Sequence, residues 1–370
     1  MSTAAISLGV AGFAAQPASA TLAGGMPSSH VAAALLPATV TSTKSPAGAA
    51  NGKQQLVPDL IAALPGGISA AQVAKIGKLG GVTAVLPVDG GNVTVNGRHA
   101  NVLGVSPQTF RPWTPLATAA SAAVWSALGD GKLITTKAAA SNLGLSAGKA
   151  YPVSAAVREQ VPFGGSTALS VPGADALVNL TRSAQLGLAH NFAVLINAPT
   201  ANLKTLASQV QSLLGQHSQV VNLVTYYLAT EGQQPVEVNA PAGVPANWVD
   251  LFKESAATYC PGLPWTVLAA IGEIESGDGA NDGPSSAGAR GPMQFLPSTW
   301  AIWGTDGFGP PGTPDIMNPL DAVPSAARLL CASGGASSAT LSAAIFAYNH
   351  ATWYVSEVLA LASEYARANG

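Results

Sequence analysis

The chain has 370 residues, 48% of them hydrophobic and only 9% charged, with a formal net charge of −2. At about 100 to 200 residues per domain, this length fits two folded units with extended ends rather than one core. A net charge so near zero gives no long-range field to gather nucleic acid or anionic lipid, which excludes a polyanion-binding role.

Residues 1–20 run apolar through Ile6, Leu8, Val10 and Phe13 to Ala18-Ser19-Ala20, a small-x-small ending that reads as a secretory signal. No Lys or Arg precedes Lys44, so the usual basic start is missing, and an Ala-rich tail is the alternative. No uninterrupted apolar run reaches the roughly 18 residues that span a bilayer. Residues 21–55, dominated by Ala, Gly, Ser, Thr and Pro, bury too little apolar surface to offset ordering and read as a linker.

From 56 to 230 the pattern becomes that of an α+β domain. Ile68 to Leu79 has helical spacing and Val82 to Val88 reads as a strand. Asn92 to Val95 leads through Asn96-Gly97 into Ala100 to Val105, the signature of a hairpin with a tight turn. Phe192 to Ile196, Ala201 to Leu214 and Val220 to Val224 read as strand, amphipathic helix and strand, a βαβ-like unit. The run Gly144 to Lys149 lacks P-loop spacing and is a turn. With its run Val102 to Leu116, this stretch resembles the extracytoplasmic core domain of FtsX- and MacB-type permeases, which implies a fold and no activity. It also leaves room for an envelope protein partner docking through this domain. Periodicity stops in the Pro/Gly-rich segment 231–246, which reads as a second linker.

The remaining residues, 247–370, read as a self-contained, mainly helical domain. They hold both cysteines, Cys260 and Cys331, and an even pair in an exported chain favours a disulfide. Two buried thiols are the alternative, and that would need a reducing compartment. Pro264 suits a first helical turn, and the run from Trp265 continues helically to a stop at Gly277. At 100° per residue Leu268, Ile271 and Glu275 share one stripe, and Glu273 lies about 160° from Glu275, so Glu273 is the expected solvated acid. Burial and the negative end of the helix dipole both disfavour ionisation of Glu275, which suits a glycosidic general acid.

Glu275-Ser276 is followed by Gly291-Pro292-Met293-Gln294-Phe295 and later by Ala347-Tyr348-Asn349. In that order these motifs resemble the soluble lytic transglycosylase and goose-type lysozyme family, with departures at Pro292 and at His350-Ala351 that leave the acid untouched. The resemblance implies a lysozyme-like fold and cleavage of peptidoglycan glycan strands, outside the cytoplasm, at the MurNAc-β-1,4-GlcNAc bond. Glu275 would be catalytic, with Ser276, Met293, Gln294, Phe295, Tyr348 and Asn349 meeting substrate. Tyr348 would bond the acid, and Gln294 and Asn349 would hold acetamido groups. Met293 and Phe295 could equally be core, as could Trp300 and Trp303.

A glycosidase normally needs a second carboxylate, for which Asp278, Asp282, Asp306, Asp315 and Asp321 are available. Asp278 and Asp282 follow the acid most closely, and Asp321 is better placed to cap a helix. Lyase members of the family do without a second carboxylate and leave 1,6-anhydro-MurNAc ends. A hydrolytic muramidase and a non-catalytic wall-binding protein remain as alternatives. The five histidines show no metal-binding spacing, and neither metal nor cofactor is expected.

Overall fold

A computed structural model describes residues 55–236, 243–285 and 287–369; the expected signal at 1–20 and all but the last residue of the expected linker 21–55 lie outside them. Among the described residues, no helix is long and apolar enough to cross a membrane. The amino-terminal part is built on a mixed sheet and the carboxyl-terminal part is helical, as the sequence implies.

The strands are β1 (Leu60–Ala63), β2 (Ala84–Val95), β3 (Arg98–Val105), β4 (Leu133–Thr135), β5 (Ala150–Ser154), β6 (Arg158–Ser166), β7 (Ala176–Asn179), β8 (Ala189–Asn197) and β9 (Gln219–Asn222). Their order is β3-β7-β4-β6-β5-β2-β8-β1-β9, and β3 also pairs with β2, so six strands close a circuit and lose their free edges. The long β2 makes this possible. Its first half pairs with β8, and its second half turns at Asn96-Gly97 to pair with β3. Both turn residues have positive φ, 50° and 80°, as a two-residue hairpin of this type needs. Strands β8 and β9 flank β1, each antiparallel to it, and the helix Leu203–Leu214 joins them. The expected βαβ unit is therefore present with a third strand inserted between its two.

The carboxyl-terminal part consists of helices Trp248–Tyr259, Trp265–Ser276, Pro297–Trp303, Pro319–Ala332, Leu341–Asn349 and Thr352–Asn369. Nearly every side chain of Trp265–Ser276 is buried, the mark of a helix enclosed on all faces. Its neighbours are Trp248–Tyr259 on one side, Thr352–Asn369 on another and the amino-terminal helix Leu116–Ala120 on a third. A disulfide joins Cys260, at the end of the first helix, to Cys331 in the fourth.

The helical lobe packs broadly against the amino-terminal domain. Leu60, Ile196, Leu206 and Tyr227 belong to the same buried cluster as Phe252, Ile274 and Tyr365. The rings of Tyr227 and Tyr365 lie 5.1 Å apart across the junction. Segment 231–246, expected as a linker, makes contacts at both described ends: Gly232 is buried beside Val249, and Val236 N–H donates to Ala246 O at 3.3 Å.

Candidate active site

Glu275 sits in the last turn of the helix Trp265–Ser276, 6% exposed. Gly277 ends that helix with φ 65°, where a side chain would meet Ala168 and Pro115 of the amino-terminal domain at 3.2 and 3.4 Å. Tyr354 OH donates to Glu275 Oε1 at 2.8 Å, and Asn349 hydrogen-bonds the same carboxyl. Burial pushes Glu275 up to about 7, with the bonds from Tyr354 and Asn349 pulling the other way. The upward direction is the one expected from the helix's apolar stripe, and a value of about 7 leaves the acid partly rather than fully protonated at neutrality.

The tyrosine that holds the acid is Tyr354, not Tyr348 as expected. Tyr348 OH donates instead to Met293 O at 2.8 Å, and its ring lies parallel to that of Tyr354 at 6.5 Å. Tyr354 shares a buried stripe with Val358, Leu361 and Tyr365 on the last helix. That helical spacing was the available signal for a tyrosine aimed inward.

Four other residues expected at the substrate, Ser276, Met293, Gln294 and Phe295, are buried. Met293 is 0% and Phe295 3% exposed, and Phe295 packs edge-on against Trp300 and Tyr348. Ser276 is fully buried; its hydroxyl donates to Pro292 O at 2.6 Å and accepts from Gly279 N–H at 2.7 Å. Gln294, in a left-handed conformation with φ 48°, donates its side-chain amide to Gly291 O and Gly283 O. A Cβ on Gly291 would sit 1.9 Å from Ile316 O, so the turn into Met293 requires glycine. These contacts fix the shape of the loop that follows Glu275-Ser276.

Each of the five candidate aspartates has a partner other than Glu275, although Asp278 Oδ1 is buried without one. Asp278 Oδ2 accepts from Tyr227 OH, and Asp282 pairs with Lys137 at 2.9 Å, both partners lying in the amino-terminal domain. Asp306 accepts from Gly312 N–H and Asp315 from Met317 N–H. Asp321 accepts from Gly307 and Asp315 N–H groups, while the cap expected of it is made by Asn318.

Glu273 is half-buried rather than freely solvated. It does face away from Glu275, but that face is covered by the amino-terminal domain, where Glu273 shares a small cavity with Val57, Pro115 and Ser170. Burial, then Asp278 and Glu231, push its carboxyl well up.

Residues 252–369 match the family model of the transglycosylase SLT domain. The carboxyl-terminal lobe is a transglycosylase SLT domain. Peptidoglycan is thus the substrate class of this lobe, an extracytoplasmic polymer, and transglycosylase its class of enzyme. No curated protein matches the chain. The crystal structure of the periplasmic region of MacB from Actinobacillus actinomycetemcomitans is similar at 12% identity, over 48% of this chain and 94% of that one. Its TM-score of 0.28 is too low to carry an argument.

Proposed function

We propose that the SLT lobe cleaves the MurNAc-β-1,4-GlcNAc bond without water, using Glu275 first as acid and then as base. The observation that carries this reading is the isolation of Glu275. It is buried and bonded by Tyr354 and Asn349, while Asp278, Asp306, Asp315 and Asp321 are bonded to other groups and Asp282 pairs with Lys137 at the exposed rim. A carboxyl near 7 has both forms available at neutral pH, as a group that gives and then takes a proton requires.

In the first step Glu275 protonates the departing GlcNAc oxygen, and the bond to MurNAc C1 breaks. The acetamido group of MurNAc steadies the oxocarbenium-like centre. Carboxylate Glu275 then removes the proton of the C6 hydroxyl, whose oxygen bonds to C1 and closes the 1,6-anhydro ring. The attack is intramolecular, so proximity favours it over entry of water. A hydrolase would need a second carboxylate to activate water or attack C1. The disulfide and the location of the substrate both support an exported protein.

Glu275→Gln is the direct test of the residue. It keeps the shape and removes the transferable proton, so muropeptide release from purified peptidoglycan should fall by at least about a thousandfold, within the range for loss of acid–base catalysis. Release at the parent rate by a folded Glu275→Gln protein would refute the assignment.

A further inference from the structure

We infer that the amino-terminal domain is a clamp on the catalytic loop, and that Thr118, Thr167 and Tyr227 are positioning residues for the SLT lobe's reaction. The inference rests on Glu275 being the acid. It adds that the lobe's site depends on another domain of the same chain.

The loop in question runs from Gly277 to Gly283, directly after Glu275-Ser276. Gly277, Asp278 and Gly279 all have positive φ, at 65°, 48° and 76°. Three such residues in succession include one with a side chain, and a backbone of that kind persists where its surroundings hold it. Those surroundings come from the amino-terminal domain. Asn281 Nδ2 donates to Thr118 Oγ1 at 3.0 Å and to Thr167 Oγ1 at 3.1 Å. Both threonines are buried, their hydroxyls lie 2.7 Å apart, and Trp125 Nε1 braces the backbone at Thr118 O. Tyr227 OH, from a different helix of the same domain, donates to Asp278 Oδ2. Lys137 adds an ion pair to Asp282 at the exposed rim, where such a pair contributes little.

What the clamp holds is the wall of the active site. Asn281 N–H donates to Ser276 O at 2.9 Å, next to the acid. Gly291 N–H donates to Asp282 O at 2.8 Å, and the Gln294 amide reaches Gly283 O at 3.3 Å. A continuous set of bonds therefore runs from Thr118 and Thr167, through Asn281 and the loop, to the residues bordering Glu275. The two threonine acceptors are fully buried and Asn281 is half-buried, so water has limited access to the bonds between them.

The test uses the full chain with Thr118→Val and Thr167→Val combined, a change that keeps side-chain shape and deletes both acceptors, beside Thr118→Ser with Thr167→Ser, which keeps them. With soluble glycan strands as substrate, the valine pair should lose about ten- to a hundredfold in kcat with little change in KM, the size expected when a site drifts by a fraction of an ångström to an ångström. The serine pair should recover most of it. Amide hydrogen exchange should quicken in residues 277–283 of the valine protein while Trp265–Gly272 stays protected. Unchanged kcat in the valine pair overturns the clamp, and so does a loss that serine fails to restore or that accompanies faster exchange throughout the chain. Glu275→Gln in the same assay separates the two ideas: if it is inactive and the valine pair is fully active, only the clamp fails.

Discussion

Replacing Tyr354 by Phe should move the pH profile of the enzyme in a direction opposite to that expected from simple loss of a helper. The hydroxyl donates to Glu275 Oε1 at 2.8 Å with Tyr354 fully buried, so no water stands ready to take its place. A hydrogen bond to a charged group contributes about 1.5 to 3 kcal/mol, and part of that persists toward the neutral acid, leaving a charge-selective part of roughly 1 to 1.5 kcal/mol. At 1.36 kcal/mol per pKa unit, removing it should raise the Glu275 carboxyl by about one unit from its present value of about 7. Since kcat/KM requires the protonated acid, its alkaline limb should shift upward by about that unit. The bond from Asn349 keeps the shift from growing larger. The maximal rate should nonetheless fall about tenfold, because a bond fixing the carboxyl rotamer is lost. The assay is initial-rate digestion of soluble glycan strands from pH 5 to 9, and an alkaline limb that stays put or moves down would refute the reasoning.

Stability should decrease as pH rises from about 4 to about 7. Asp59, Asp278 and Glu357 are each raised to about 7, chiefly by burial, with bonds from Ala198, Tyr227 and Val57 respectively pulling them back. The folded chain then binds more protons than the unfolded one in that window, so the stabilisation is full below the unfolded values and lost as pH passes the folded ones. Thermal unfolding from pH 4.5 to 8 checks this, and a Tm that climbs with pH would contradict it. Glu273→Gln removes a charge from the same junction and should raise Tm above pH 7 while leaving the rate nearly unchanged, which calorimetry and the digestion assay together measure. Reducing the Cys260–Cys331 bond, which closes a separation of 71 residues, should cost the lobe about 4 kcal/mol in the chain-entropy picture. Denaturant unfolding with and without reductant reads this, and equal midpoints would count against it.

Local chemistry made the SLT lobe legible. Pro264 and Gly277 bracket a helix, Glu275 falls on its apolar stripe, and glycine at 291 is demanded by the close approach of Ile316. Long-range chemistry was not legible. The helical wheel turned Glu273 correctly away from Glu275, yet it carried no information about the sheet domain that covers that side. Strands of three or four residues such as β4 and β7 carry no readable period of their own, because their stability comes from partners far along the chain: β4 pairs with β6 and β7 pairs with β3. The motif points to Tyr348 for the bond that Tyr354 makes, since both tyrosines lie close to Asn349 in the chain and only the packing of the last helix decides between them.

The most direct test of non-hydrolytic cleavage by Glu275 is digestion of purified peptidoglycan by the full chain in oxygen-18 water, followed by mass spectrometry of the new MurNAc ends. Attack by the sugar's own C6 hydroxyl leaves 1,6-anhydro-MurNAc with no label. Labelled reducing ends without anhydro product would mean that water attacks, and would return Asp282, released from Lys137, as the first group to examine as its base.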